Sequence, residues 1–126
     1  SIDIICGRVY GEKLNKRKIN TYFFFRHIGI CHQAIFTKRN LLLNGFDTEY
    51  KISADINFLI KSYFAGYKII SVNVIVALYE GGGISETNLK QARKETYKIL
   101  KKHFPWVIAT FRIIIYYIIN ACIKKQ

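Results

Sequence analysis

The chain has 126 residues, a net charge of +12 and an apolar fraction of 51%, with nine Tyr and nine Phe; this is enough for one packed domain and argues against disorder except at the tips. The basic balance calls for an anionic partner, whether a membrane surface, nucleotide phosphates or nucleic acid. Three scattered cysteines, Cys6, Cys31 and Cys122, form no C-x-x-C pair, which argues against a disulfide framework or a zinc site and for reduced, packed thiols.

The chain opens on Ser1, has no Met and shows no secretory signal over Ser1 to Tyr10, the mark of an excised or processed piece. Asp3 to Tyr10 reads as a short buried strand and Gly11 to Lys18 as a polar, basic loop. Tyr22 to Phe25 is an aromatic run too short to assign. Ile30 to Thr37 reads as a strand, and Lys38 to Leu43 as a short helix ended by Asn44-Gly45. Ser53 is placed to cap a helix in which Ile56, Leu59, Ile60 and Tyr63 recur at helical spacing, with Gly66 closing it. Tyr67 to Leu78 is β-branched, either two short strands or one long bent one. Gly81-Gly82-Gly83 breaks it. Ser85 or Thr87 then caps a basic helix to about His103, supported by a Glu86 to Lys90 pair. Pro105 suits the first turn of a final helix. Strands and helices alternate, so the expected class is α/β.

Charge and hydropathy are uneven towards the C-terminus. From Ser85 to Gln126 there are nine Lys or Arg against Glu86 and Glu95. Phe104 to Ile123 carries Arg112 as its one charge. As a helix it is long enough for a bilayer core, but Arg112 costs roughly 3 kcal/mol at the centre and the Ile, Val and Phe side chains return about 0.3 to 0.6 each. The terms nearly cancel. Arg112, Tyr116, Asn120 and Lys124 share one helix face, which favours a helix lying in the membrane interface, with Lys101, Lys102, Lys124 and Lys125 meeting anionic headgroups. The alternative is a terminal helix packed on another part of the protein.

Few residues can carry chemistry. Asp55 sits in the first turn of its helix, where the dipole favours a carboxylate; it is either a helix-stabilising charge or a general base at the rim of a cleft. His32 and Gln33, on a strand, point to opposite faces, and either residue is also explained as a hydrogen-bonded structural group. Glu80 to Ser85 (EGGGIS) is either a plain turn or a loop that approaches a phosphate; it is not a P-loop, because no Gly-Lys-Ser/Thr follows. No metal-spaced His cluster or Asp-x-Asp pair occurs. Nor is there a recognised nucleic-acid-binding signature.

One order of motifs ties these together. His32-Gln33-Ala34 is followed by Gly45-Phe46-Asp47, then Tyr50-Lys51-Ile52-Ser53-Ala54-Asp55, then Gly66-Tyr67-Lys68, then Gly82-Gly83-Ile84-Ser85. From about Asp3 to His103 the series resembles the acceptor-side half of bacterial family 2 glycosyltransferases. The resemblance implies a partial GT-A domain over residues 1–103, a Rossmann-like mixed sheet with flanking helices, and a C-terminal amphipathic or apolar helical tail over 104–126. It implies inverting transfer of a sugar from a nucleotide-diphosphate sugar to a hydroxyl of a saccharide or lipid-linked acceptor. Asp55 is implied as the base, with His32, Gln33, Gly82, Gly83 and Ser85 bordering the sugar and acceptor. A divalent cation, magnesium or manganese, is implied, but its Asp-x-Asp ligands are absent from this chain. The resemblance implies a place on the cytoplasmic face of the cell membrane, no nucleic-acid partner, and no turnover by this stretch alone. The rival expectation is a basic, non-catalytic module that binds a membrane or polyanion.

Overall fold

The computed structural model describes residues 1–10, 19–21, 30–78, 81–105, 109–111 and 114. The apolar run of β1 (Ile4–Val9) buries Ile4, Cys6 and Val9, and Arg8 is buried with them. β2 (Ile35–Thr37) pairs with β1 antiparallel, Cys6 opposite Ile35 and Ile4 opposite Thr37. β3 (Ile69–Ala77) lies parallel to β1 on the other side, giving a mixed sheet of order β2-β1-β3. With its packed helices the chain is α/β, as the alternation predicts.

Asp3 joins the three strands at one end. Its Oδ1 accepts from Lys38 Nζ at 2.8 Å, just past β2, and its Oδ2 accepts the Lys68 N–H at 2.9 Å, just before β3. The Lys38 ammonium first, and then the Lys68 N–H, hold the Asp3 carboxyl below the usual range.

The Tyr67 to Leu78 stretch resolves into one bent strand. Pairing with β1 runs in step from Ile4/Ile69 to Cys6/Ser71, then slips, so that Arg8 faces Ile75 and Val9 faces Ala77. The residues left over on β3 bulge. The bulge lays Val76 over Gly7, where an added Cβ would lie 2.7 Å from Val76 Cγ2. Only Gly fits there without a shift.

The expected strand over Ile30 to Thr37 is shorter than predicted. His32–Ala34 forms a 3₁₀ turn, closed by the Ala34 N–H donating to Cys31 O at 2.9 Å. β1 offers ladder partners only to Ile35–Thr37, so the residues before them satisfy their backbone locally. The strand alternation that would send His32 and Gln33 to opposite faces therefore does not apply, and both are exposed. The short helix expected after Lys38 is likewise a 3₁₀ turn, Arg39–Leu42, and Gly45 at φ +66° ends it.

α1 (Ala54–Phe64) buries Leu59 and Ile60, with Ile56 and Tyr63 packed at the core margin, the pattern its spacing predicts. Gly66 (φ +85°) turns the chain back, its N–H donating to Tyr63 O. The basic helix expected from Ser85 or Thr87 is broken in two. α2 (Ile84–Thr87) and α3 (Leu89–His103) meet at Asn88, whose backbone leaves the helical range (φ −123°, ψ 54°). Neither Ser85 nor Thr87 caps α3, and Glu86 turns back to the Gly82 N–H at 2.7 Å instead of forward to Lys90. Ile99 and Leu100 of α3 join Leu59 and Ile60 of α1 and Ile4, Cys6 and Ile69 of the sheet in one core.

Cys6 is buried and Cys31 half-buried, and neither is in a disulfide. Ala109–Phe111 and Ile114 are helical, and Ala109 reaches the core. The Gly11 to Lys18 loop, the Tyr22 to Phe25 run, Cys122, and the Arg112, Tyr116, Asn120 and Lys124 stripe fall outside the described residues. Among the described residues no helix is long and apolar enough to cross a membrane.

Candidate functional site

The start of α1 is set by a residue far along the chain. Glu95, on the inward face of α3 and 4% exposed, accepts the Lys51 N–H at 3.1 Å and the Gln91 amide at 2.8 Å on Oε1. Its Oε2 accepts the Ile52 N–H at 2.8 Å and the Ser53 N–H at 2.9 Å. Burial pushes the Glu95 carboxyl up, but these donors outweigh it and hold it down at about 2. Three successive N–H groups form an anion-binding concavity, and here the protein's own carboxylate fills it.

Ser53 therefore does not cap α1 as its position predicts. Its side chain makes no capping bond and instead reaches Ala92 O on α3 at 3.4 Å. The sequence contains a signal for Glu95. It is the one acidic residue from Leu89 to His103 and shares the inward face with Ala92 and Ile99, three residues before and four after it. A carboxylate on an apolar stripe needs a buried partner.

Two residues past this anchored turn, Asp55 emerges in the first turn of α1, its side chain 28% exposed. Asp55 Oδ1 accepts the Ile56 N–H at 2.8 Å, and Oδ2 faces His32 Nδ1 at 3.8 Å. That distance is an ion-pair approach, too long for a hydrogen bond. Burial raises the Asp55 carboxyl above the usual range, against the Ile56 N–H and the His32 ring, which favour ionisation. The result is a carboxylate more basic than a surface Asp, with Oδ2 left to accept a proton. His32, with its side chain 67% exposed, stands on the 3₁₀ turn whose Ala34 is buried and whose next residues pair with β1.

The structure thus brings together two of the sequence-predicted residues, His32 and Asp55, from positions 23 apart in the chain. It does not join the others to them by hydrogen bonds. Gln33 is exposed, and its side chain bonds to none of the described residues. Gly81 and Gly82 take positive φ (+77° and +74°), and the Gly82 N–H is occupied by the Glu86 carboxylate. Gly83 O accepts the Glu86 N–H at 2.9 Å and the Thr87 N–H at 3.1 Å. Neither Gly82, Gly83 nor Ser85 bonds to Asp55 or His32 among the described residues.

A second polar cluster, not anticipated from the sequence, crosses from the Asp47 loop through α1 to α3. Buried Asn57 donates to Asp47 Oδ2 at 3.4 Å and accepts from His103 Nε2 at 3.3 Å. The His103 ring stacks on Phe64, centroids 6.0 Å apart and 3° from parallel. Burial first, then Lys102 and Lys61, lowers the His103 pKa, so the ring is neutral at physiological pH. The cluster ties two helices and a loop.

Among the described residues no group of three or more His, Cys, Asp or Glu side chains is placed to hold a metal ion. The divalent cation implied by the resemblance finds no donor set there. No family model, curated protein or solved structure matches the chain.

Proposed function

We propose that the chain is the acceptor-side part of a GT-A glycosyltransferase of the family 2 type, acting in cell-surface polysaccharide or glycolipid synthesis. On this reading Asp55 is the general base. Its Oδ2 takes the proton of an acceptor hydroxyl as the oxygen bonds to the anomeric carbon. The bond from that carbon to the nucleoside diphosphate breaks with inversion, and the diphosphate leaves with the electron pair. A carboxylate made more basic by partial burial suits this role better than a surface Asp.

The single observation that supports the reading is the approach of His32 to Asp55 at 3.8 Å, since two of the five motifs that carried the resemblance meet at one point. A helix-stabilising Asp would need no such neighbour. The donor is a nucleotide-diphosphate sugar and the acceptor a saccharide or lipid-linked hydroxyl, with the protein at the cytoplasmic face of the membrane through its apolar C-terminal segment. The rival, a basic module without catalysis, is favoured by the cations of α3 and leaves the meeting of His32 and Asp55 unexplained.

Asp55→Asn in the intact protein tests the proposal. Removing a general base lowers the transfer rate about 10²- to 10⁴-fold, read as incorporation of labelled sugar into acceptor. Unchanged transfer would sink the assignment.

A further inference from the structure

α3 has a second face. At 3.6 residues per turn, Lys90, Lys94, Tyr97 and Lys101 fall on one stripe, opposite the side that buries Glu95 and Ile99. The three lysines are exposed, and Lys101 Nζ lies 5.5 Å from the centroid of the Tyr97 ring. Glu95, the one acid of α3, is turned inward and held by backbone donors, and Glu86 of α2 is turned back to Gly82. Lys98 pairs with Glu49, and Lys102 lies 3.9 Å from Asp47, so the compensating carboxylates gather on one flank. Lys90, Lys94 and Lys101 form no salt bridge among the described residues.

We infer that the Lys90, Lys94, Tyr97 and Lys101 stripe is the surface with which the protein reads anionic lipid headgroups. This deepens the proposal of membrane association and rests on it. Charge alone fits any polyanion, but the neighbours select a bilayer. Ile84 and Leu89, which precede the stripe in the chain, are 65% and 51% exposed, and Phe111 and Ile114, which follow α3, are 58% and 51% exposed. A nucleic-acid backbone gives exposed aliphatic side chains no place to go, whereas the interfacial zone of a bilayer takes them up. The Tyr97 ring, with an apolar body and a polar tip, belongs at the same depth.

The test uses the full chain and sedimentation with vesicles of phosphatidylcholine alone or mixed with phosphatidylglycerol. Binding to neutral vesicles reports the apolar contribution, and the added binding with phosphatidylglycerol reports the stripe. Lys90→Gln/Lys94→Gln/Lys101→Gln is expected to lose the phosphatidylglycerol-dependent increment, about 100-fold in partitioning at low salt for three cations, and to keep its neutral-vesicle binding. A control that removes two cations from the same helix, Lys98→Gln/Lys102→Gln, is expected to keep most of the increment, because those cations are already paired. Circular dichroism of each variant confirms that the fold is retained. If the triple variant keeps the full increment, the stripe is overturned while membrane association stands. If the parent chain binds neither vesicle, both are overturned. Tighter binding to a single-stranded oligonucleotide than to anionic vesicles, lost in the same triple variant, would assign the stripe to nucleic acid instead.

Discussion

Glu95→Gln is the most telling single change, because it keeps the shape of the side chain and removes only charge and acceptor capacity. Each carboxylate oxygen receives two donors, Lys51 N and Gln91 Nε2 on one, Ile52 N and Ser53 N on the other. Whichever way the glutamine amide is turned, its NH₂ meets two of them. Two hydrogen bonds are lost and two donors are left facing a donor, at about 1 to 3 kcal/mol for each unsatisfied buried group. The titration gives a comparable figure. A carboxyl at about 2 in the folded chain against 4.5 in the unfolded one contributes at most about 3 kcal/mol at neutral pH. Because the folded value is the lower, this contribution is complete above pH 4.5 and fades as pH falls towards 2. Thermal melts of parent and variant should therefore differ by about 10 °C at pH 7 and converge only as pH falls towards about 2. Hydrogen exchange at the Lys51, Ile52 and Ser53 amides should accelerate in the variant at neutral pH. A melting difference of less than about 2 °C at pH 7, or one that does not shrink with acid, would refute the account of this anchor.

Three further changes probe the neighbourhood. The Asp55 carboxyl is raised by burial, so its protonated form is favoured in the fold, and its stabilising contribution is lost as pH rises through the folded value. Asp55→Asn should therefore raise the melting temperature at pH 7 while lowering transfer, with the gain vanishing below pH 3.8; a loss of stability at pH 7 would return Asp55 to the role of a helix-stabilising charge. His32→Gln removes a group that favours ionisation of Asp55, so the carboxyl should titrate at still higher pH by carbon-13 NMR, and an unchanged titration would uncouple the two. Gly7→Ala puts a Cβ 2.7 Å from Val76 Cγ2 and should cost about 1 to 3 kcal/mol in urea denaturation, with Val76→Ala restoring most of it.

Several parts of this fold are legible from local pattern because local physics sets them. Leu59 and Ile60 repeat the helical spacing that buries them, and Gly45 and Gly66 mark turns that need positive φ. β1 and β3 announce themselves by apolar and β-branched runs. The misreadings at His32-Gln33 and at Ser53 share one cause, a partner distant in sequence. His32 and Gln33 continue the run of a strand on paper, but where the strand begins is decided by which residues find ladder partners on β1, some thirty positions earlier. Ser53 stands where an N-cap should, but the Ser53 N–H is taken by Glu95, 42 residues later, and the serine side chain follows it to α3. The register slip that lays Val76 over Gly7 is a matter of two strands fitted together and has no sign in either alone.

These long-range ties give α3 two jobs on opposite sides. Its inward carboxylate fixes the turn from which Asp55 emerges, and its outward lysines form a stripe free of acids. The two faces belong to one rigid element of 15 residues, so the position of Asp55 relative to the cationic stripe is set by a single helix and one buried anchor. On the proposed reading, that arrangement holds the base at a fixed height above an anionic bilayer, where a lipid-linked acceptor presents its hydroxyl. Loosening the anchor should then disturb transfer to a lipid-linked acceptor more than transfer to a free saccharide, since only the former is held at a fixed height. The helix would register the membrane and the catalytic carboxylate against each other, through Glu95.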